Sequence, residues 1–357
     1  MRFALLFAAL ALLAPATSQA ADKPDIKAAR DKGIAFLKTT QRDDGGWSST
    51  QMTGVTGLVA HALLSSGVPA DDPAVAKALA LLAKAVQPDG SIGAPNSRIS
   101  AYETSIAVLA LSAANKDGKY DAAIQNAIKF LRTVQFNEAR GTAETDANFG
   151  GAGYNAGKSR PDLSNTHFFL EAFEVAGISS SDPAVQASIK FLSRCQNLAG
   201  PDNPDPEAAK VNDGGFQYTP VNSETDADSG LRSYGSMTYA GFKSMLYAGL
   251  SKDDPRVKAA LSWIRKHYTL KENPGMGANG IYYYYYLFAR ALNAANLETL
   301  EDDKGTSHDW KQELASHLIS EQAPNGSWTN RQSDRWQEGD PNLVTAYALF
   351  ALSQCEK

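Results

Sequence analysis

Two kinds of apolar stretch alternate along the chain. Residues 26–40, 73–85, 120–134, 183–194, 255–267 and 309–321 repeat apolar side chains at helical spacing but carry Lys, Arg or Glu on one face. One apolar face predicts a surface helix. Residues 54–67, 102–115, 165–177, 234–249, 282–296 and 343–354 are apolar on nearly every side and hold few charges. These predict helices buried all round, so the alternation implies an outer and an inner layer of helices. Helix boundaries follow from local chemistry. Asp72-Pro73, Asp182-Pro183 and Asp254-Pro255 each put a capping acceptor ahead of a proline suited to the first helical position. Gly67, Gly177 and Gly249 stand where a helix ends in a left-handed residue. Strand patterns are scarce. Residues 139–162 and 199–230, rich in Gly, Pro, Asn and Asp, are expected to be loop insertions that either cover one end of the assembly or lie plainly on its surface.

The two-helix unit is a repeat. Lys32-Gly33, Phe36-Leu37, Gln41 and Asp44-Gly45-Gly46-Trp47 return as Leu82 to Gln87 with Asp89-Gly90, and as Phe130-Leu131 with Gln135. They return again as Phe191-Leu192 with Gln196 and Asp213-Gly214-Gly215-Phe216, and last as Leu318 to Gln322 with Asn325-Gly326-Ser327-Trp328. A degenerate copy has Trp263-Ile264 with Tyr268 at the Gln position. A period of roughly 45 to 70 residues marks a helical array. The Gln can satisfy free backbone groups at a helix end, and the Gly turn returns the Trp to pack on its helix.

These residues resemble the glutamine–tryptophan repeats of squalene and hopene cyclases and of the β subunits of protein prenyltransferases. The resemblance spans the chain beyond its N-terminal segment and implies an all-α fold, the (α/α)6 toroid, a double ring of about twelve helices. It also defines what is different here. In the cyclases a run Asp-x-Asp-Asp-Thr opens an inner helix and its middle Asp protonates the substrate. The matching run is Asp162-Leu163-Ser164-Asn165-Thr166, with Ser164 in place of the acid. A serine hydroxyl is too weak an acid to protonate an alkene. The prenyltransferases hold zinc with Asp, Cys and His, where this chain has Arg232, Tyr234 and Val344. None is the ligand required, and the five histidines fall in different repeats, so neither metal nor cofactor is expected.

Composition narrows the remainder. A hydrophobic content of 43% with 20% charged residues in 357 suits a chain with a large core. The formal net charge of −5, without any basic run, argues against nucleic acid as a partner. Met1-Arg2, the apolar Phe3–Leu13 and the small residues around Ala20 and Ala21 form the pattern of a secretory signal over residues 1–20, leaving one toroid domain over 21–357. The apolar run is short for a membrane span, and a secreted or periplasmic location is expected. Cys195 and Cys355 lie in distant repeats and are expected to be unpaired, as two small hydrophobes.

In such a toroid one mouth gathers the inner-helix N-termini. Glu103 and Asp162 are the acids available there as catalytic candidates, while Tyr102, Asn165, His167, Arg232, Tyr234 and Tyr282 are candidates to bind a ligand. Asp162 and Asn165 could equally cap their helix, since both are favoured capping types. Of the run Tyr282 to Tyr286, only one or two side chains can face a cavity at a time. Trp310 and Trp336 could form a platform or close the ring. The resemblance implies an exported toroid that binds a hydrophobic, isoprenoid-like small molecule or lipid in its centre. Two further readings stand beside it: a polysaccharide-acting toroid and a protein-interaction module.

Overall fold

The computed structural model describes residues 24–356 except Met52, Lys158 and residues 221–232. The predicted signal and Arg232 therefore lie outside the described residues. Six helices, α2 (Gly54–Ser65), α4 (Ser100–Ala114), α6 (Leu163–Val175), α9 (Gly235–Tyr247), α11 (Ile281–Ala294) and α13 (Pro341–Cys355), are buried nearly all round. Each packs on the next in chain order and α13 packs back on α2, which closes the inner ring. The amphipathic helices α1 (Ile26–Thr39), α3 (Pro73–Lys84), α5 (Asp121–Val134), α7 (Pro183–Cys195), α10 (Pro255–Lys266) and α12 (Trp310–Glu321) form the outer ring. The fold is the (α/α)6 toroid. Both cysteines are free.

The predicted ends hold because their local chemistry is present. Asp72, Asp182 and Asp254 accept from the backbone N–H two residues on, with Pro at the first helical position. The same signal forms a thirteenth helix, α8 (Pro206–Val211), inside a stretch predicted to be loop; Asp205 caps it by accepting from Glu207 N. Among the described residues the single sheet is a two-residue hairpin pairing Leu300–Glu301 with Ser307–His308.

The repeat residues fasten each unit to its neighbour. Gln41 Nε2 donates to Gly45 O at 2.9 Å and to Ala74 O, in the next outer helix, at 2.8 Å. Gln135 reaches Gly150 O and Ala184 O, and Gln196 reaches Gly214 O and Arg256 O. Gln322 closes the outer ring by donating to Ala29 O at 2.8 Å. In the degenerate repeat Tyr268 makes the link, donating to Glu313 of α12 at 2.8 Å. Gln87 differs, bonding only Ala85 O and Gly93 O of its own turn. Trp47 and Trp328 are fully buried and donate to Leu37 O and Leu318 O, the return contact expected of them. Gly45, Gly90, Gly150, Gly214 and Gly326 all have φ between 81° and 90°. A Cβ there would lie 2.8 Å or less from a carbonyl oxygen of the next outer helix, so the turn needs glycine for both conformation and space.

A further repeated device has no obvious mark in the sequence. Thr56, Thr104, Thr166, Thr238 and Thr345, one on each of five inner helices, accept from the backbone N–H that ends the preceding turn, at 2.9–3.1 Å. Thr166 in the Asp162–Thr166 run is thus part of the scaffold.

Candidate functional site

The N-termini of the inner helices surround one mouth of the toroid, and aromatic side chains line it. Tyr102 packs edge-on to Phe168 at 5.4 Å between ring centroids; Phe168 stacks on Tyr283 at 6.3 Å; Tyr283 meets Tyr347 at 5.7 Å. The hydroxyls of Tyr102 and Tyr347 interact, which joins α4 to α13 across the opening. Tyr154, from the first long loop, contacts Tyr102, and its hydroxyl lies 3.4 Å from that of Tyr218 on the second. Both insertions therefore reach over this mouth. Ser164, Tyr102, Tyr218, Tyr234 and Tyr283 each keep part of their surface open to solvent within this packed ring. This partly solvent-accessible mouth, ringed by aromatic side chains, is the funnel. On its rim Trp336 is 50% exposed with φ 57°, stacked under Arg335 and against Gly280.

Asp162 is the N-cap of α6: it accepts from Asn165 N at 2.8 Å and from Asn165 Nδ2 at 2.7 Å. Burial pushes its carboxyl up to about 6, although these bonds and one from Tyr218 oppose the rise. Glu103 is turned towards α2, accepting from Thr53 N at 2.6 Å, and so caps that helix from α4. Tyr102 and Tyr234 sit on the funnel, and burial pushes both phenols up. Tyr282 packs edge-on against Tyr285 on another side of α11, whereas Tyr283 and Tyr286 face the ring centre. Ser164 points inward, 3.0 Å from Tyr283 Oη. Trp310 is buried and donates to Leu297 O.

His167 lies below the funnel, with Nε2 2.8 Å from Tyr283 Oη. Beneath it is a cluster that the sequence reading missed. Glu171 accepts from Lys243, from Arg290 Nη2 at 2.9 Å and from Tyr286 Oη at 3.1 Å, and Lys243 Nζ lies 3.5 Å from His167 Nδ1. Glu171 and Lys243 have no exposed side-chain surface. Burial would raise Glu171, but Arg290 and Lys243 outweigh it and hold the carboxyl well below its usual range. Burial draws Lys243 down to about 8 against the pull of Glu171. Burial, reinforced by Lys243, keeps His167 neutral. One further carboxylate was missed: Glu338 accepts from Tyr283 N at 2.8 Å and Asn330 Nδ2 at 2.7 Å, capping α11, and burial pushes it up to about 7.

The arrangement offers aromatic walls, a hydroxyl floor and a buried charged base. Among the described residues no group of three or more His, Cys, Asp or Glu could hold a metal ion, and no helix is long and apolar enough to cross a membrane.

Residues 51–216 match the family model of the squalene-hopene cyclase C-terminal domain. The type II terpene cyclase MstE from Scytonema has a similar structure, with a TM-score of 0.54 at 16% identity over 93% of this chain and 98% of that one. Protein geranylgeranyltransferase-I from Candida albicans, complexed with GGPP, gives 0.56 at 13% identity over 90% of each chain. The GH76 α-mannanase of Bacteroides thetaiotaomicron gives 0.57 at 11% identity over 93% and 96%, so the fold alone does not select a chemistry. No curated protein matches the sequence. In fold the chain resembles the squalene/hopene cyclase and protein prenyltransferase β-subunit superfamily, and over residues 51–216 it carries the cyclase sequence pattern as well.

Proposed function

We propose that the chain is an exported toroid that binds a hydrophobic, isoprenoid-like molecule in the funnel, and that it does not start a cyclisation by protonating it. The observation that carries this reading is the inward-facing Ser164, hydrogen-bonded to Tyr283, in the run whose resemblance to the cyclase motif puts a serine where the cyclases have their acid. The nearby Asp162 is engaged with Asn165 at the helix N-terminus and supplies no free acid in its place. Walls of Tyr102, Phe168, Tyr283 and Tyr347 offer apolar faces to a prenyl chain, as solved relatives of this fold hold geranylgeranyl dihydroxybenzoate and GGPP. Native mass spectrometry of the protein mixed with geranylgeraniol and, separately, mannohexaose tests the reading. A one-to-one complex with the isoprenoid alone supports it. Retention of mannohexaose alone would favour a glycan-acting toroid, for which the exposed rim residues Tyr154 and Trp336 provide stacking surfaces. Retention of neither overturns both.

A further inference from the structure

We infer that the floor of the funnel is a hydrogen-bond donor site for an oxygen acceptor, formed by Ser164, Tyr283 and His167 and oriented by Lys243, so that the ligand is an oxygenated isoprenoid entering head first. This deepens the preceding reading and rests on it.

The argument is one of donors and acceptors. An ammonium group donates and cannot accept, so the 3.5 Å approach of Lys243 Nζ to His167 Nδ1 favours a lone pair on Nδ1. Glu171 Oε2, at 3.7 Å from the same nitrogen, is too far to take a proton from it in a hydrogen bond. The proton of the neutral ring is then on Nε2, which donates to Tyr283 Oη at 2.8 Å. Tyr283, its oxygen already accepting, directs its own proton to Ser164 Oγ at 3.0 Å. Among the described residues the Ser164 hydroxyl has no second hydrogen-bond partner, and its side chain keeps part of its surface open, so its proton is available to a ligand in the mouth. Every link therefore runs outward, from the buried cation to the floor, and each bond polarises the next. Lys243 and Arg290 lie beneath the floor around Glu171, with Glu174 beside them, so it is the direction of the hydrogen-bond chain rather than a net charge that selects an acceptor above it. Burial holds Tyr283 protonated and His167 neutral, as the direction of the chain requires. A hydrocarbon end would leave the Ser164 hydroxyl unpaired and desolvated, whereas a carbonyl or carboxylate oxygen would complete the chain.

Two measurements decide. In protein labelled with 15N-histidine, with the His167 signals assigned by their loss in His167→Gln, Nε2 is expected to bear the proton and Nδ1 to be bare; a proton on Nδ1 overturns the inference. In native mass titrations, geranylacetone, an isoprenoid ketone, is expected to bind about tenfold more tightly than the hydrocarbon β-farnesene, the effect of one well-made hydrogen bond. Ser164→Ala and Tyr283→Phe should each remove most of that preference while leaving β-farnesene binding in place. Equal binding of the two probes to the wild type, or a preference that survives both substitutions, overturns the donor floor but leaves the isoprenoid funnel standing. Binding of neither probe overturns both.

Discussion

Glu171 is the sharpest test of the energetics at the toroid centre. It is the carboxylate that bonds both Lys243 and Arg290, with Glu174 acting on them from further off; its side chain and that of Lys243 are wholly buried, while Arg290 is 14% exposed. Glu171→Gln keeps the shape and removes the charge, leaving the wholly buried Lys243 and the largely buried Arg290 without their bonded counter-ion. Removing one partner of a buried pair costs about 3–5 kcal/mol. Lys243→Met should cost less, roughly 1–3 kcal/mol, because Glu171 retains Arg290 and Tyr286 and only one charged bond is lost. The contrast is read as urea-unfolding midpoints followed by circular dichroism at pH 7. A pH series adds a second reading. The Glu171 carboxyl is held below its ordinary value of 4.5, so its contribution is present above that pH and is lost as pH falls below it. The wild type should therefore lose stability in acid more steeply than Glu171→Gln. If Glu171→Gln costs no more than Lys243→Met, the buried cations do not depend on this carboxylate and the reasoning fails.

Other positions give independent checks. Glu338 has the opposite sign: burial raises its pKa from 4.5 to about 7, so the folded state holds its proton longer and stability falls as pH rises through that window. Thermal unfolding of Glu338→Gln between pH 4.5 and 7 should show a flatter pH dependence than the wild type; an unchanged slope would contradict the assignment. Gly150→Ala sets a Cβ against the Ala187 carbonyl at φ 86°, whereas Gly67→Ala, at the same φ, meets nothing within 4 Å. The second should cost about 1–2 kcal/mol from backbone conformation alone and the first clearly more, as compared by chemical denaturation. Gln322→Ala removes the bonds to Ala29 O and Gly326 O that close the outer ring, and should destabilise by about 1–3 kcal/mol. Hydrogen exchange should then rise first in α1 and α12.

The double ring was legible because each of its parts is specified locally. Asp-Pro pairs start helices, glycines end them, and the repeated Gln and Trp make the same bonds in every copy but that of Gln87. Even the missed α8 carried its signal in Asp205-Pro206, hidden by the loop-like composition around it. The site was less legible. Five consecutive tyrosines point every way around a helix, and only packing against α6 and α13 decides that Tyr283 and Tyr286, rather than Tyr282, face the centre. Glu171, Lys243 and Arg290 did leave a trace, Lys243 and Arg290 as lone charges and Glu171 as one of two on helices otherwise largely apolar, each needing a buried partner. Which partner each would find depends on the closure of the ring. Glu338 left no such trace, since it reaches α11 from a loop 55 residues away in sequence from Tyr283.

The most direct test of the funnel uses a reporter already in place. Trp47, Trp263, Trp310 and Trp328 are buried, and Trp336 is the one tryptophan exposed, on the rim. Its fluorescence quenching by acrylamide should fall saturably as geranylgeraniol is added, with a one-to-one end point. Ser164→Phe, which fills the floor, should abolish that protection without changing the far-ultraviolet circular dichroism. Protection that is absent in the wild type, or undiminished in a folded Ser164→Phe variant, would contradict the account.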